Sequence, residues 1–189
     1  MTTKPITSDY LDLRSQIPEG ATIATLAQGL YGAGLRLGRM GRYGHTGIVR
    51  RIVVDGVERV FVVEENPGGG RYTPLSHYKT EQFDVFASPV DGAAASAKAV
   101  QLVEGLPEYD WIDIARLARW GLARAVVGLF TQELPEPKVT EVQSGTQGVI
   151  CSAFVTASYV AAGWETCGHC AWPSALCNQL GSPVLRYRP

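Results

Sequence analysis

The stretch Cys151-Ser152-Ala153-Phe154-Val155-Thr156-Ala157-Ser158-Tyr159 decides how this chain is expected to fold. Glycines flank it, with Gly148 before and Gly163 after, and they permit a helix to begin and a left-handed C-cap to end it. Small and apolar side chains from Phe154 to Ala162 recur at helical spacing. The pattern therefore predicts a helix that packs one stripe against a core, with a cysteine at its start.

A cysteine at a helix start differs chemically from most thiols. The unpaired backbone N–H groups and the positive end of the helix dipole favour the thiolate, which is the nucleophilic form. Such a position lowers a thiol pKa from about 8.5 by one to several units, and more beside an imidazolium. The alternative is a small buried hydrophobic residue, as most unpaired cysteines are. A base elsewhere in the chain decides between the two interpretations.

Two β-branched runs predict a hairpin. They cover residues 44–54 and 57–63, and Asp55-Gly56 separates them. Asp-Gly between such runs is a strong signal for a two-residue turn. In that register Val54 faces Val57, and the pairing continues outward along both strands.

The same register selects a partner for His45. It places Gly47 opposite Glu64, so that His45 and Glu64 are diagonal neighbours on one face while Glu65 points to the other. A longer turn or a bulge would select Glu65 instead. A glutamate beside an imidazole orients the ring and favours its cation, whereas a lone histidine is usually structural. The hairpin therefore predicts His45 and Glu64 as a catalytic pair.

The remaining chain alternates short strands and helices. Asn66 to Gly70 resembles a phosphate loop, but no Lys-Ser/Thr follows, so we predict a mobile rim. The other expected segments are a polar lead-in over 1–20, a strand and helix within 21–39, a connector over 72–78, a strand within 82–89, helices over 92–106 and 112–130, a polar loop over 133–147, a short helix after Trp172 and a strand within 183–187.

Bulk composition excludes several classes of function. The chain has 189 residues, of which 46% are hydrophobic and 19% charged, and this predicts one domain. A net charge of -1 without a basic run argues against nucleic acid or an anionic membrane as partner. The N-terminus lacks a secretory signal, and the apolar run 121–130 is too short to be a transmembrane segment. We expect a soluble protein, cytoplasmic by default, with another export route left open.

The four cysteines leave the redox question open. They are Cys151, Cys167, Cys170 and Cys177, and His169 lies within the Cys167–Cys170 motif. That cluster is compatible with zinc, a disulfide or free thiols, but its spacing matches no standard zinc site and no second C-x-x-C is present. We predict no metal and no cofactor, and favour free thiols.

The order histidine, acid, cysteine reverses the usual papain order. It resembles the circularly permuted NlpC-like branch of the papain-like fold, the YiiX type. The matching pieces cover most of the chain from about residue 20: they are His45 to Val49, Val62 to Glu64, Tyr72 to Leu75, Gly105 with Tyr109-Asp110, Cys151-Ser152, and Pro173 to Leu176.

That resemblance implies an α+β fold, a permuted papain-like domain over residues 1–189, in which an antiparallel sheet packs against the cysteine helix. It implies Cys151 as nucleophile, His45 as base and Glu64 as the residue that orients His45. It also implies Tyr109 as a residue lining the oxyanion or substrate site. The segment before Cys151 is longer than in relatives, so we expect a helical insertion at about 112–147, a possible surface for a protein partner.

The expected activity is hydrolysis of amide or peptide bonds, including those of cell-wall peptides, through a Cys-His-Glu triad and a thioester. Many relatives carry an acidic residue where this chain has Ala153 and Phe154, which leaves the substrate class open. The alternatives are a lipid acyltransferase or esterase, a catalytically silent binding or assembly module of the same fold, and a small zinc protein centred on Cys167, Cys170 and Cys177.

Overall fold

A computed structural model describes residues 6–37, 40–66, 68–105, 151–165 and 172–189. Several sequence predictions lie outside these residues. They concern the entry into the cysteine helix, Tyr109, the insertion at 112–147, and the cluster of Cys167, His169 and Cys170.

The described residues form an α+β structure around a seven-stranded mixed sheet. The strand order is β1-β7-β6-β2-β3-β4-β5. β1 pairs with β7 in parallel, and the other neighbouring strands are antiparallel. The prediction of a purely antiparallel sheet is therefore wrong at one edge. The strands are β1 Ile6–Thr7, β2 Thr22–Leu26, β3 Tyr43–Val54, β4 Val57–Asn66, β5 Gly69–Pro74, β6 Phe83–Phe86 and β7 Leu185–Tyr187.

Five α-helices and one 3-10 turn accompany the sheet in the described part of the chain. Most lie where the apolar spacing predicts them, which confirms the coarse order of elements. The α-helices are α1 Tyr10–Gln16, α2 Gly29–Leu37, α3 Gly92–Gly105, α4 Cys151–Ala161 and α5 Pro173–Leu180, and the 3-10 turn is Leu75–Tyr78.

The β3–β4 hairpin confirms the predicted register. Asp55 and Gly56 both have positive φ, at 52° and 73°, which is the backbone that a two-residue turn of this kind requires. Val54 pairs with Val57, and the ladder continues to Ile48 opposite Val63. Because side chains alternate along a strand, this register determines which residues of the hairpin share a face.

The sheet carries a hydrophobic core on each face. On one face Val49 and Val62 pack with Leu13 of α1, and on the other Ile48 and Val63 pack with α3 and α4. Helix α4 is more deeply buried than a single stripe predicts. It is buried from Cys151 to Thr156 and again at Ser158 and Tyr159, because it packs against both the sheet and α3.

Two stretches interpreted as irregular are ordered elements. The polar lead-in contains β1 and α1, and the Asp9 carboxylate caps α1 by accepting the Leu11 N–H at 2.8 Å. The stretch predicted as a mobile rim instead joins two paired strands, since β4 runs to Asn66 and β5 begins at Gly69. Gly69 has φ of 93°, which a turn tolerates easily only at glycine.

Across the ranges described, the helices are all too short or too polar to cross a bilayer.

The Tyr159 hydroxyl ties α4 to the sheet. It donates to the Gly20 carbonyl at 2.8 Å and, having only one proton, accepts from the Thr22 hydroxyl at 2.7 Å. Tyr159 and Thr22 are both fully buried. Because unpaired buried polar groups are costly, this pair of hydrogen bonds helps to fix α4, and with it Cys151, against the sheet.

We expect Tyr159→Phe to lower the free energy of unfolding by about 1–3 kcal/mol, because it leaves two buried groups without their partner. Chemical denaturation of the variant measures this. The control is Tyr72→Phe, which removes a hydroxyl that reaches Glu104 on the exposed edge and should change stability by less than about 0.5 kcal/mol. Equal effects of the two variants would contradict this role of Tyr159.

Candidate active site

His45 and Glu64 are in direct contact. The Nε2 atom of His45 lies 2.7 Å from Oε2 of Glu64. The His45 side chain is 22% exposed, whereas the Glu64 side chain is completely buried. The hairpin register brings the pair together, because it places the two side chains on one face as diagonal neighbours.

Four donors surround the Glu64 carboxylate. Oε2 accepts from His45 and from the Tyr78 hydroxyl, while Oε1 accepts from the Thr73 hydroxyl and from Arg71 Nε at 3.0 Å. Burial raises the pKa of Glu64, but the hydrogen bonds and charge of His45, with those from Thr73 and Tyr78, outweigh burial and lower it to about 2. Glu64 is therefore an anion at any physiological pH.

Sequence reasoning missed three of these donors. Arg71 lies directly opposite Glu64 on β5, and Thr73 lies two residues further on the same face. The 3-10 turn after β5 then brings Tyr78 over the carboxylate. Treating 66–70 as a tight turn would have revealed Arg71 and Thr73 by the same register argument that identified Glu64.

Cys151 lies against the beginning of β3. Its thiol interacts with the His45 imidazole by both charge and hydrogen bonding, and with the backbone and side chain of Thr46. Burial raises the pKa of Cys151, but the charge of His45 and these hydrogen bonds outweigh it and lower the pKa below the ordinary value. The Thr46 hydroxyl is buried and has no other hydrogen-bond partner among the described residues.

The pKa of His45 shifts in the opposite direction to that of Cys151. Burial lowers the pKa of His45, but the Cys151 thiolate and the Glu64 carboxylate outweigh burial and raise it. Since Glu64 holds Nε2, the ring nitrogen left for the sulfur is Nδ1. The arrangement favours a thiolate–imidazolium pair supported by a second anion.

Glu65 occupies the other face of β4 and is not part of this group. It is fully buried, and neither carboxylate oxygen has a hydrogen-bond partner within the described ranges. Burial raises the pKa of Glu65 to about 7. The structure therefore agrees with the predicted choice of Glu64 over Glu65 as the neighbour of His45.

The one remaining predicted site residue is Tyr109. Tyr109 lies outside the described residues, as do Cys167 and Cys170. Among the described residues, no three His, Cys, Asp or Glu side chains are grouped so that they would hold a metal ion. Cys177 is buried in a cluster with Tyr43 and Phe86.

A scan against protein-family models finds no matching family, and a search of curated proteins finds no match. The structure brings together Cys151, His45 and Glu64, the three residues that the sequence singled out as catalytic.

Replacing Glu64 tests the electrostatics of this site. We expect Glu64→Gln to lower the pKa of His45 by about one unit or more, because an adjacent carboxylate favours the cation. Proton NMR titration of the imidazole measures this, and His45→Ala assigns the resonance. Glu65→Gln is the matched control, because the same change on the opposite face of β4 should leave the His45 pKa in place. A pKa shift of equal size in both variants would contradict the assignment of Glu64 as the carboxylate that raises the His45 pKa.

Proposed function

We propose that this protein is a thiol hydrolase that cleaves amide or peptide bonds and adopts a circularly permuted papain-like fold. One observation carries the proposal: the His45 imidazole is held by a buried carboxylate on one side and interacts with the Cys151 thiol on the other. A cysteine nucleophile, a histidine base and an orienting acid are the components of covalent acyl transfer.

In the first half of the reaction the Cys151 thiolate attacks the substrate carbonyl carbon and forms a C–S bond. The carbonyl electrons move to oxygen, and the resemblance assigns the stabilisation of this oxyanion to the Cys151 backbone N–H and Tyr109. As the C–N bond breaks, the imidazolium of His45 donates its proton to the leaving nitrogen. The products are an amine and a thioester on Cys151.

In the second half water attacks the thioester while neutral His45 accepts a proton from it. The C–S bond breaks, the acid product leaves, and the thiolate–imidazolium pair is restored. Glu64 keeps the ring in the orientation and tautomer that both halves need. It remains ionised throughout, since its pKa is about 2.

The imidazolium form of His45 is the acid that an amide substrate requires. An amine is a poor leaving group unless it is protonated, so amide cleavage needs an acid that still holds its proton at neutral pH. Burial opposes the imidazolium, but Cys151 and Glu64 raise the pKa of His45 above the ordinary value and keep that proton in place. An alkoxide leaving group depends less on this proton.

We expect Cys151→Ala to reduce turnover of a cleaved peptide amide by at least about a thousandfold, because the nucleophile is lost. A screen of peptidoglycan fragments, peptide amides and lipid esters supplies the substrate. Ser152→Ala is the matched control. It removes a buried hydroxyl that has no hydrogen-bond partner in the described part of the chain, and it should retain most of the turnover.

A thiol-directed activity probe at neutral pH gives a readout that does not depend on the substrate. Cys151 should be labelled well before the other cysteines, and His45→Ala should slow its labelling. Unchanged turnover in Cys151→Ala would contradict Cys151 as the nucleophile, whereas equally slow labelling of all cysteines with no turnover of any substrate would favour a silent binding module.

A further inference from the structure

A pocket of about 470 Å³ opens where β3 begins. It is bounded by α2, the start of β3, the end of β6 and α5. Its polar wall includes Arg36, Arg42 and Asn178, while Tyr43 and Phe86 form an aromatic base. The residues that line it include two guanidinium groups and, among the described residues, no carboxylate.

The backbone that carries Arg42 is fixed by α5. Gly41 has φ of 95°, and a Cβ atom there would approach the Ser174 hydroxyl to 2.2 Å, so only glycine lets the chain pass so close. The Ser174 Oγ atom accepts the N–H groups of Arg42 and Tyr43 at 3.0 and 3.1 Å. The backbone of Arg42 and Tyr43 is therefore held in place before a ligand binds.

The charge behind the pocket remains positive. The buried Asp84 carboxylate accepts from Arg42 Nη2 at 2.8 Å, from Arg188 Nη2 at 2.5 Å and from the Tyr43 hydroxyl at 2.6 Å. Two guanidinium groups thus share one carboxylate, and Arg36 adds a further charge. The Arg42 side chain is 49% exposed, and its described hydrogen bonds use Nη2 alone, which leaves Nε and Nη1 for a ligand.

The pocket lies close to the candidate nucleophile. Thr46, which contacts the Cys151 sulfur, pairs with Ala24, and Ala24 packs in one cluster with Tyr43 and Phe86 of the pocket. The register between β2 and β3 shifts by one residue after Thr25, so that Leu26 pairs with Tyr43. Tyr43 and Thr46 are three positions apart on β3, so the pocket adjoins the segment of β3 that contacts the sulfur.

We propose that this arginine pocket binds a carboxylate of the substrate. A guanidinium group recognises a planar carboxylate through two parallel N–H donors, and two such groups line this pocket. Because the pocket adjoins the segment of β3 that contacts Cys151, one short peptide can reach both the pocket and the sulfur. The preferred substrate is then a short peptide with a free carboxyl end. This placement rests on the proposed function, but the binding itself needs no turnover.

Calorimetry on the full-length Cys151→Ala protein tests the pocket directly. The probes are N-acetyl-tetra-alanine with a free carboxylate, the same peptide with a C-terminal carboxamide, and inorganic phosphate. We expect the acid to bind about tenfold more tightly than the amide, since charge-assisted hydrogen bonds are the stronger kind. Adding Arg36→Met should remove most of this preference. Adding Arg59→Met, an exposed arginine on β4, should not.

A second variant is Arg42→Lys, which keeps a positive charge beside Asp84 but loses the forked N–H donors of the guanidinium group. It should weaken binding of the acid about fivefold. Equal affinity for acid and amide would overturn the proposal, as would an undiminished preference in Arg36→Met and Arg42→Lys. Binding of phosphate without any preference for the acid would overturn the assignment to a carboxylate. A retained preference in a protein that hydrolyses nothing would support the pocket while removing the proposed function.

Discussion

The contact between Glu64 and His45 is the constraint on which the rest of the candidate site depends. A carboxylate without exposed surface is unfavourable unless its lost hydration is replaced. Here four donors replace it, and they come from β3, β5 and the 3-10 turn. The β3–β4 and β4–β5 hairpins and the turn must therefore all be in place for Glu64 to remain ionised. When Glu64 is ionised, it holds His45 in one orientation and favours the imidazolium cation.

Glu64 and Glu65 show how far local environment decides chemistry. They are consecutive, identical and both fully buried. Glu64 has four donors and a pKa of about 2, whereas burial without a hydrogen-bond partner in the described chain raises the pKa of Glu65 to about 7. The alternation of the strand separates them to opposite faces, so a shift of one residue in register would exchange their roles.

The part of the site that depends on local rules was predictable. Asp55-Gly56 fixes the turn, the turn fixes the register, and the register places His45 beside Glu64. Thr73 and Tyr78 were not predicted, because their approach depends on the second hairpin, which the glycine-rich stretch concealed. The extensive burial of α4 was also missed, since the apolar periodicity of this helix predicts one buried face but not the additional packing against α3. Contacts far apart in sequence, such as Arg42 with Asp84, leave no local pattern.

The central claim is that Cys151 is a thiolate paired with the His45 imidazolium at neutral pH. The most direct measurement is the absorbance near 240 nm of the wild-type protein minus that of Cys151→Ala, followed from acid to alkaline pH. The account predicts a thiolate signal that appears well below the ordinary thiol pKa of about 8.5 and moves up towards that value in His45→Ala. The exposed His77 provides the control, and His77→Ala should not move the transition. A transition at or above about 8.5 in the wild-type protein, unaffected by His45→Ala, would contradict the account.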